Sequence, residues 1–200
     1  MPITMKAIKK MNITFTIIGT SPLIQHKWSE KAKREMKEKH AGKKTKTRAV
    51  RDPEAEFQAA CYLDDNGEFG LPLMAFKNSL ISAAHKDIGI EKTLVRKAFF
   101  IKSADSGLVH KMDCSEPVMR EDMVRVGAGS ADIRYRPEFR QWKSTISCEV
   151  DGQLLTADDV INLVNRAGFG VGIGEWRPEK SGEFGRFEVD MSEPVNVSEV

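Results

Sequence analysis

Residues 168–189 hold the densest chemistry in the chain. Gly168, Gly170, Gly172 and Gly174 alternate with other residues, then Trp176-Arg177-Pro178-Glu179-Lys180 follows, then Gly182-x-x-Gly185-Arg186-Phe187. Glycine lacks a Cβ, so a backbone rich in it can run close to a ligand or another chain. Gly172, Gly174, Gly182 and Gly185 are the candidate points of approach. Trp176, Arg177 and Arg186 are the residue types that suit bases and phosphates. No Gly-Lys-Ser/Thr is present, so this is not a Walker loop. A dinucleotide fingerprint opens a helix after a strand, whereas this segment follows a helix and leads into a strand. The competing reading is a hairpin with a flexible Gly-rich turn.

A second candidate is electrostatic. Between Lys27 and Arg51 stand eleven Lys or Arg against three Glu, a local balance of +8. The whole chain carries +2, so the remainder stands at −6. Such a basic arm, residues 25–52, points to a polyanion partner. A solvated helix with i,i+4 pairs accounts for Ser29 to Lys39. It does not account for the acid-free run bearing Lys43, Lys44, Lys46 and Arg48, with Lys27 and Arg51 at the two ends. After Arg186 come Glu188, Asp190, Glu193 and Glu199 and no base. That acidic tail, residues 190–200, complements the basic arm of a neighbouring copy.

The third candidate is Arg120, Arg125, Arg134, Arg136 and Arg140, interleaved with Tyr135, Phe139 and Trp142. Base stacking and phosphate contact need that mixture. The alternative is an edge hairpin whose arginines pair with Glu121, Asp122, Asp132 and Glu138. With six bases against five acids from Glu116 to Lys143, both readings stand.

Other chemistries find little support. Cys61, Cys114 and Cys148 lie far apart without Cys-x-x-Cys spacing, which argues for a reducing compartment and against a zinc site. His26, His40, His85 and His110 are scattered, so no metal cluster and no cofactor is expected. Asp64-Asp65 falls in a turn and Asp158-Asp159 in a helix's first turn, where acids belong anyway. No Ser-His-Asp or Cys-His set emerges from the spacing. Lacking about 18 consecutive apolar residues, the chain is expected to be cytoplasmic and off the membrane.

The elements that must position these groups can be read locally. Asn12 to Gly19 alternates and is β-branched, a strand. Asp52 caps a helix with Pro53 at its first position, reaching Ala60. Asn66-Gly67 suits a tight hairpin between Cys61–Leu63 and Phe69–Leu71. Leu73 to Lys86 is an amphipathic helix with Leu73, Phe76, Leu80, Ile81 and Ala84 inward. A short helix over Glu91–Ala98 precedes a strand at Phe99–Lys102. Strands follow at Val118–Val126, Ala131–Tyr135 and Trp142–Val150. Thr156 caps a last helix, with Val160, Ile161, Leu163, Val164 and Ala167 inward and Gly168 closing it. The order is that of an α+β, ferredoxin-like β-α-β-β-α-β core in a single domain, with a basic insertion. Both helices of such a core cover one sheet face and leave the other free for single-stranded nucleic acid.

Three segments together resemble the RAMP superfamily of CRISPR-associated proteins, in particular its repeated backbone subunits. They are Thr20-Ser21-Pro22-Leu23-Ile24 after the first strand, Gly70-Leu71-Pro72-Leu73-Met74-Ala75-Phe76-Lys77-Asn78-Ser79-Leu80, and the Gly172 to Phe187 segment. The resemblance puts Lys77 in the place of the family's lysine. It implies a modified RNA-recognition fold that polymerises head to tail along single-stranded RNA or DNA, with residues 108–142 as a protruding β-hairpin thumb. A phage or prophage relative using the fold outside CRISPR immunity is a further form of the same resemblance. Some members cut RNA with an Asp in the loop after the first strand; here only Asp52 stands there, and capping explains it better. The expectation is therefore a sequence-nonspecific single-stranded nucleic-acid-binding protein that forms a helical filament, and no enzyme. The alternatives are an RNA-cutting subunit using Asp52 and a virus-encoded factor that imitates such a subunit.

Overall fold

A computed structural model describes residues 7–28, 30–42, 50–103, 109–126 and 129–199. In chain order the elements are β1 (Lys10–Gly19), β2 (Leu23–Ile24), α1 (Glu30–His40), α2 (Pro53–Ala60), β3 (Gly70–Pro72), α3 (Leu73–Asp87), α4 (Lys92–Ala98), β4 (Phe99–Lys102), β5 (Val109–Lys111), β6 (Asp113–Cys114), β7 (Val118–Val126), β8 (Ser130–Phe139), β9 (Trp142–Asp151), α5 (Ala157–Arg166), β10 (Phe187–Val189) and β11 (Asn196–Glu199).

The main sheet runs β10-β1-β9-β4, antiparallel throughout. With α3 between β1 and β4 and α5 between β9 and β10, this is the ferredoxin-like order, so the fold is α+β as expected. Alternation builds the interior. Ile13, Phe15 and Ile17 of β1 and Ile146, Cys148 and Val150 of β9 are buried toward the helices. Phe76 of α3 stands 6.4 Å from the Phe15 ring and 5.7 Å from Phe187, and Trp142 stands 6.3 Å from Phe187. Edge and tilted ring packing of this kind adds to the area term. The indole N–H of Trp142 donates to the Ser21 carbonyl at 3.0 Å, so the buried ring leaves no donor unpaired.

Local signals place the helices. Asp52 accepts from the Ala55 amide at 3.1 Å with Pro53 at the first position. Thr156 and Asp159 form a reciprocal capping box. Four readings need correction. The last helix does not close at Gly168: the chain continues through one wide turn, Ala167–Val171, and stops at Gly172, whose φ is 70°. Gly168 is needed because a Cβ there would strike the Phe187 carbonyl. The Asn66-Gly67 turn exists, but its arms share one bridge, Leu63↔Phe69, because Asp64 ties the loop through the Asn66 and Glu68 amides. The strand expected at Ala131–Tyr135 extends over Ser130–Phe139, because β7 pairs with it from Val118↔Glu138 to Val126↔Ser130. Within the acidic tail Asn196–Glu199 form a strand: β11 lies along β1 from Met11↔Glu199 to Thr14↔Asn196, with Glu193 on Thr16 Oγ1 and Lys143 Nζ.

The hairpin β7–β8 joins β2 in a separate sheet of order β2-β8-β7. On the outer face of the main sheet, the two central strands present Asn12, Thr14, Thr16 and Ile18 opposite Glu149, Ser147, Thr145 and Lys143. Hydroxyls pair across it, Thr14 with Ser147 at 2.9 Å and Thr16 with Thr145 at 3.0 Å. These central positions carry no aromatic ring, so they lack the stacking platform on which an RNA-recognition sheet reads bases. No helix among the described residues is long and apolar enough to cross a membrane.

Candidate nucleic-acid interface

A concavity lies on the helical side, where α3, α4 and the Gly-rich segment meet. It encloses about 470 Å³. Residues 75, 78, 79, 82 and 86 recur every three or four positions, so one stripe of α3 faces it while the opposite stripe holds the core. Lys92 and Arg96, four apart on α4, form a second wall. The third wall is Val171 to Gly174 with Arg177 and Glu179. Four cations and one carboxylate thus surround the cleft.

Glu179 fastens the third wall to α3. Its Oε1 accepts from Ser82 Oγ at 2.6 Å and from Lys86 Nζ at 2.8 Å, and its Oε2 accepts from Arg177 Nη2 at 2.9 Å. Those bonds, Lys86's first, hold its carboxyl at about 2, well below the usual range. Arg177 also donates from Nη1 to the Gly174 carbonyl at 3.0 Å. Lys92 and Arg96 are exposed and enter no ion pair among the described residues. Lys77 flanks the α4 wall, 3.5 Å from the Arg96 carbonyl and 4.6 Å from the Phe100 ring centroid, and burial lowers its pKa.

The glycines approach this chain's own backbone. A Cβ at Gly174 would strike the Ile24 carbonyl, one at Gly182 the Trp176 backbone, and one at Gly185 the Ile173 carbonyl. Gly172 and Gly174 also line the cleft, both at positive φ. Trp176 is 43% exposed at a φ of 54°, a left-handed position for a bulky residue and a mark of strain. The Phe184 amide donates to its carbonyl and holds it there. Arg186 lies 5.0 Å over the ring of Phe169, which is 72% exposed, so this pair forms a separate cationic aromatic surface.

The hairpin arginines have acidic partners. Arg120 pairs with Asp122 and Glu138 and covers Phe184. Arg134 pairs with Asp132, and Arg140 with Glu138. Arg136 is buried, with Asp122, Glu175 and His26 around it. Arg125 is exposed and unpaired among the described residues. Arg51 binds Glu56 and Asp132 and covers Tyr135. Lys27 is half-buried at the start of the insertion. Lys43, Lys44, Lys46 and Arg48 lie outside the described residues. The structure thus brings only Arg177, Gly172 and Gly174 of the sequence candidates into the cleft, with Lys77 beside it.

Sequence reasoning missed Lys86, Lys92, Arg96 and Glu179. The signal was present in part: from Lys92 to Lys102 the chain holds four cations and no acid.

A smaller cavity of about 170 Å³ adjoins the cleft across Ala75, Ile173, Gly174 and Arg177. Gln25, His26, Tyr62, Glu175 and Arg177 are its polar lining.

No protein-family model matches the sequence, nor does any curated protein. Among solved structures, a chain of "Type III-B Cmr-beta bound to cognate target RNA", seen by cryo-electron microscopy, aligns with a TM-score of 0.46 at 8% identity. The alignment covers 94% of this chain and 61% of that one. Cmr6 from Pyrococcus furiosus aligns with a TM-score of 0.43 at 11% identity, over 92% of this chain and all of the other.

Proposed function

We propose that this chain binds single-stranded nucleic acid, RNA or DNA, chiefly by its sugar–phosphate backbone, and that it binds without cutting. The observation behind the reading is the cleft, where Lys86, Lys92, Arg96 and Arg177 stand around a wall that includes Gly172 and Gly174. Cations around a groove attract phosphates whatever the base sequence. Copies then associate head to tail along the strand, with the β7–β8 hairpin as the protruding thumb. Asp52 has a capping role that accounts for it, so no residue is assigned to cleavage.

Fluorescence anisotropy with a labelled single-stranded 20-mer tests the reading. Lys92→Ala with Arg96→Ala should weaken binding about tenfold at moderate salt. The slope of log affinity against log salt should fall by about 1.4, two contacts at ~0.7 each on a single strand. Unchanged affinity and slope would overturn the reading, and a protein ligand for the cleft would then be sought.

A further inference from the structure

The smaller cavity differs in kind from the cleft. Leu23, Leu71, Pro72, Ala75 and Ile173 form its apolar wall. Its volume of about 170 Å³ is below the 300–1,000 Å³ of drug-sized sites, so it suits one small ring system. Of its five polar side chains, Gln25 is engaged by the Gly70 carbonyl and the Tyr62 amide, and Arg177 by Glu179 and the Gly174 carbonyl, which leaves His26, Tyr62 and Glu175. His26 Nδ1 accepts from Arg136 Nε at 3.0 Å. Burial, then the Arg136 charge, lowers the His26 pKa, so the ring is neutral at pH 7 and its proton sits on Nε2. Burial, then the Glu175 charge, raises the Tyr62 pKa, so its hydroxyl stays protonated. Glu175 is held by its amide on the Ile24 carbonyl and by Arg136 Nη2 at 3.5 Å from Oε2.

The cavity therefore offers a carboxylate acceptor beside an imidazole N–H donor, between apolar walls. Among nucleobases this pattern selects one edge. Guanine presents two adjacent donors, N1–H and N2–H2, next to the acceptor O6. Adenine and cytosine each place one amino donor beside a ring-nitrogen acceptor. Uracil places one donor between two acceptors. Each of these would set an acceptor against Glu175.

We propose that this cavity is a base-reading subsite that takes one guanine splayed from the bound strand, its N1–H and N2–H2 on Glu175 and its O6 on His26. The proposal rests on the nucleic-acid reading, since the two cavities share walls. It adds a base preference at one position to a grip that is otherwise indifferent to sequence.

The test uses the full chain with labelled oligouridylate strands carrying one central guanosine, inosine or adenosine, together with free GMP and IMP. Guanosine should bind about tenfold tighter than inosine or adenosine, within the range of one bidentate base contact. GMP should outcompete IMP by a similar factor, and Glu175→Gln should erase both differences. Inosine removes the N2 amine from the ligand, so the comparison does not depend on how the variant folds. Equal binding of all three strands would overturn the subsite and leave the cleft standing. Preference for GMP over IMP without strand binding would keep the subsite and overturn the cleft reading. Absence of both would overturn both.

Discussion

At the scale of single residues, Glu179 separates the two demands on the cleft. It stabilises the fold by tying residues 177–179 to α3, and it subtracts charge from the surface proposed to bind phosphates. Its folded pKa of about 2 lies well below the ordinary 4.5 of a glutamate carboxyl. The stabilisation is therefore full above pH ~5 and disappears as pH falls toward 2. Solvent reaches this group, so Glu179→Gln should cost only about 1 kcal/mol at neutral pH. The difference from wild type should narrow between pH 5 and 2 in thermal melts. The same variant should bind an oligonucleotide several-fold more tightly at low salt. Weaker binding would mean that the wall's position matters more than its charge. None of this was legible beforehand, because Glu179 reads as a neutraliser of Arg177 and Lys180 until Ser82 and Lys86, almost a hundred positions earlier, are known to face it. Arg136 is the converse case: a promising cation in the sequence, it is buried among Asp122, Glu175 and His26.

At the scale of elements, local signals were legible and borrowed ones were not. Caps act within four residues, so Asp52 and Thr156 could be read directly. Asp52→Ala should cost about 1 kcal/mol, or roughly 2–4 °C in Tm, with RNA left intact by both forms. Metal-dependent RNA cutting that vanishes in the variant would instead favour the enzyme alternative. β11 was illegible because Asn196-Val197-Ser198-Glu199 has little pattern of its own; the edge of β1 makes it a strand. Removing residues 196–200 should lower Tm modestly and promote association through the bared Met11–Thr14 edge, read by light scattering. The Gly-rich segment was recognised as special, but its close approaches are intramolecular. Gly174→Val meets both a φ of 78° and the Ile24 carbonyl, so it should reduce stability as well as binding. Loss of binding with an unchanged Tm would show that the loop yields to a side chain and serves the ligand alone.

At the scale of the whole molecule, charge distribution sets the final expectation. The ferredoxin-like order was legible because α3, α5 and the strands around them each carry a clear period. The cleft was not, since three segments distant in sequence build it. Folding also removes one expected source of self-attraction: Glu193 and Glu199 engage Lys143 and Lys9 of their own chain, so the tail's acids are partly neutralised at home. The proposed head-to-tail association would then depend on the strand itself more than on tail meeting arm. Two measurements separate these. Replacing Lys43, Lys44, Lys46 and Arg48 together with Ala should leave the circular dichroism spectrum and Tm unchanged while reducing the salt slope by up to ~0.7 per lost phosphate contact. If the arm grips the nucleic acid, assembly on a long single strand should weaken in step with that affinity, and sedimentation without nucleic acid should show the same species for both proteins. If the arm instead docks on a neighbour's tail, the variant should keep its affinity for a short oligonucleotide but lose its assembly on a long one. A wild-type protein that sediments as separate monomers on long strands with spare sites would eliminate head-to-tail assembly, because heterologous contacts that do not close must propagate wherever the template continues.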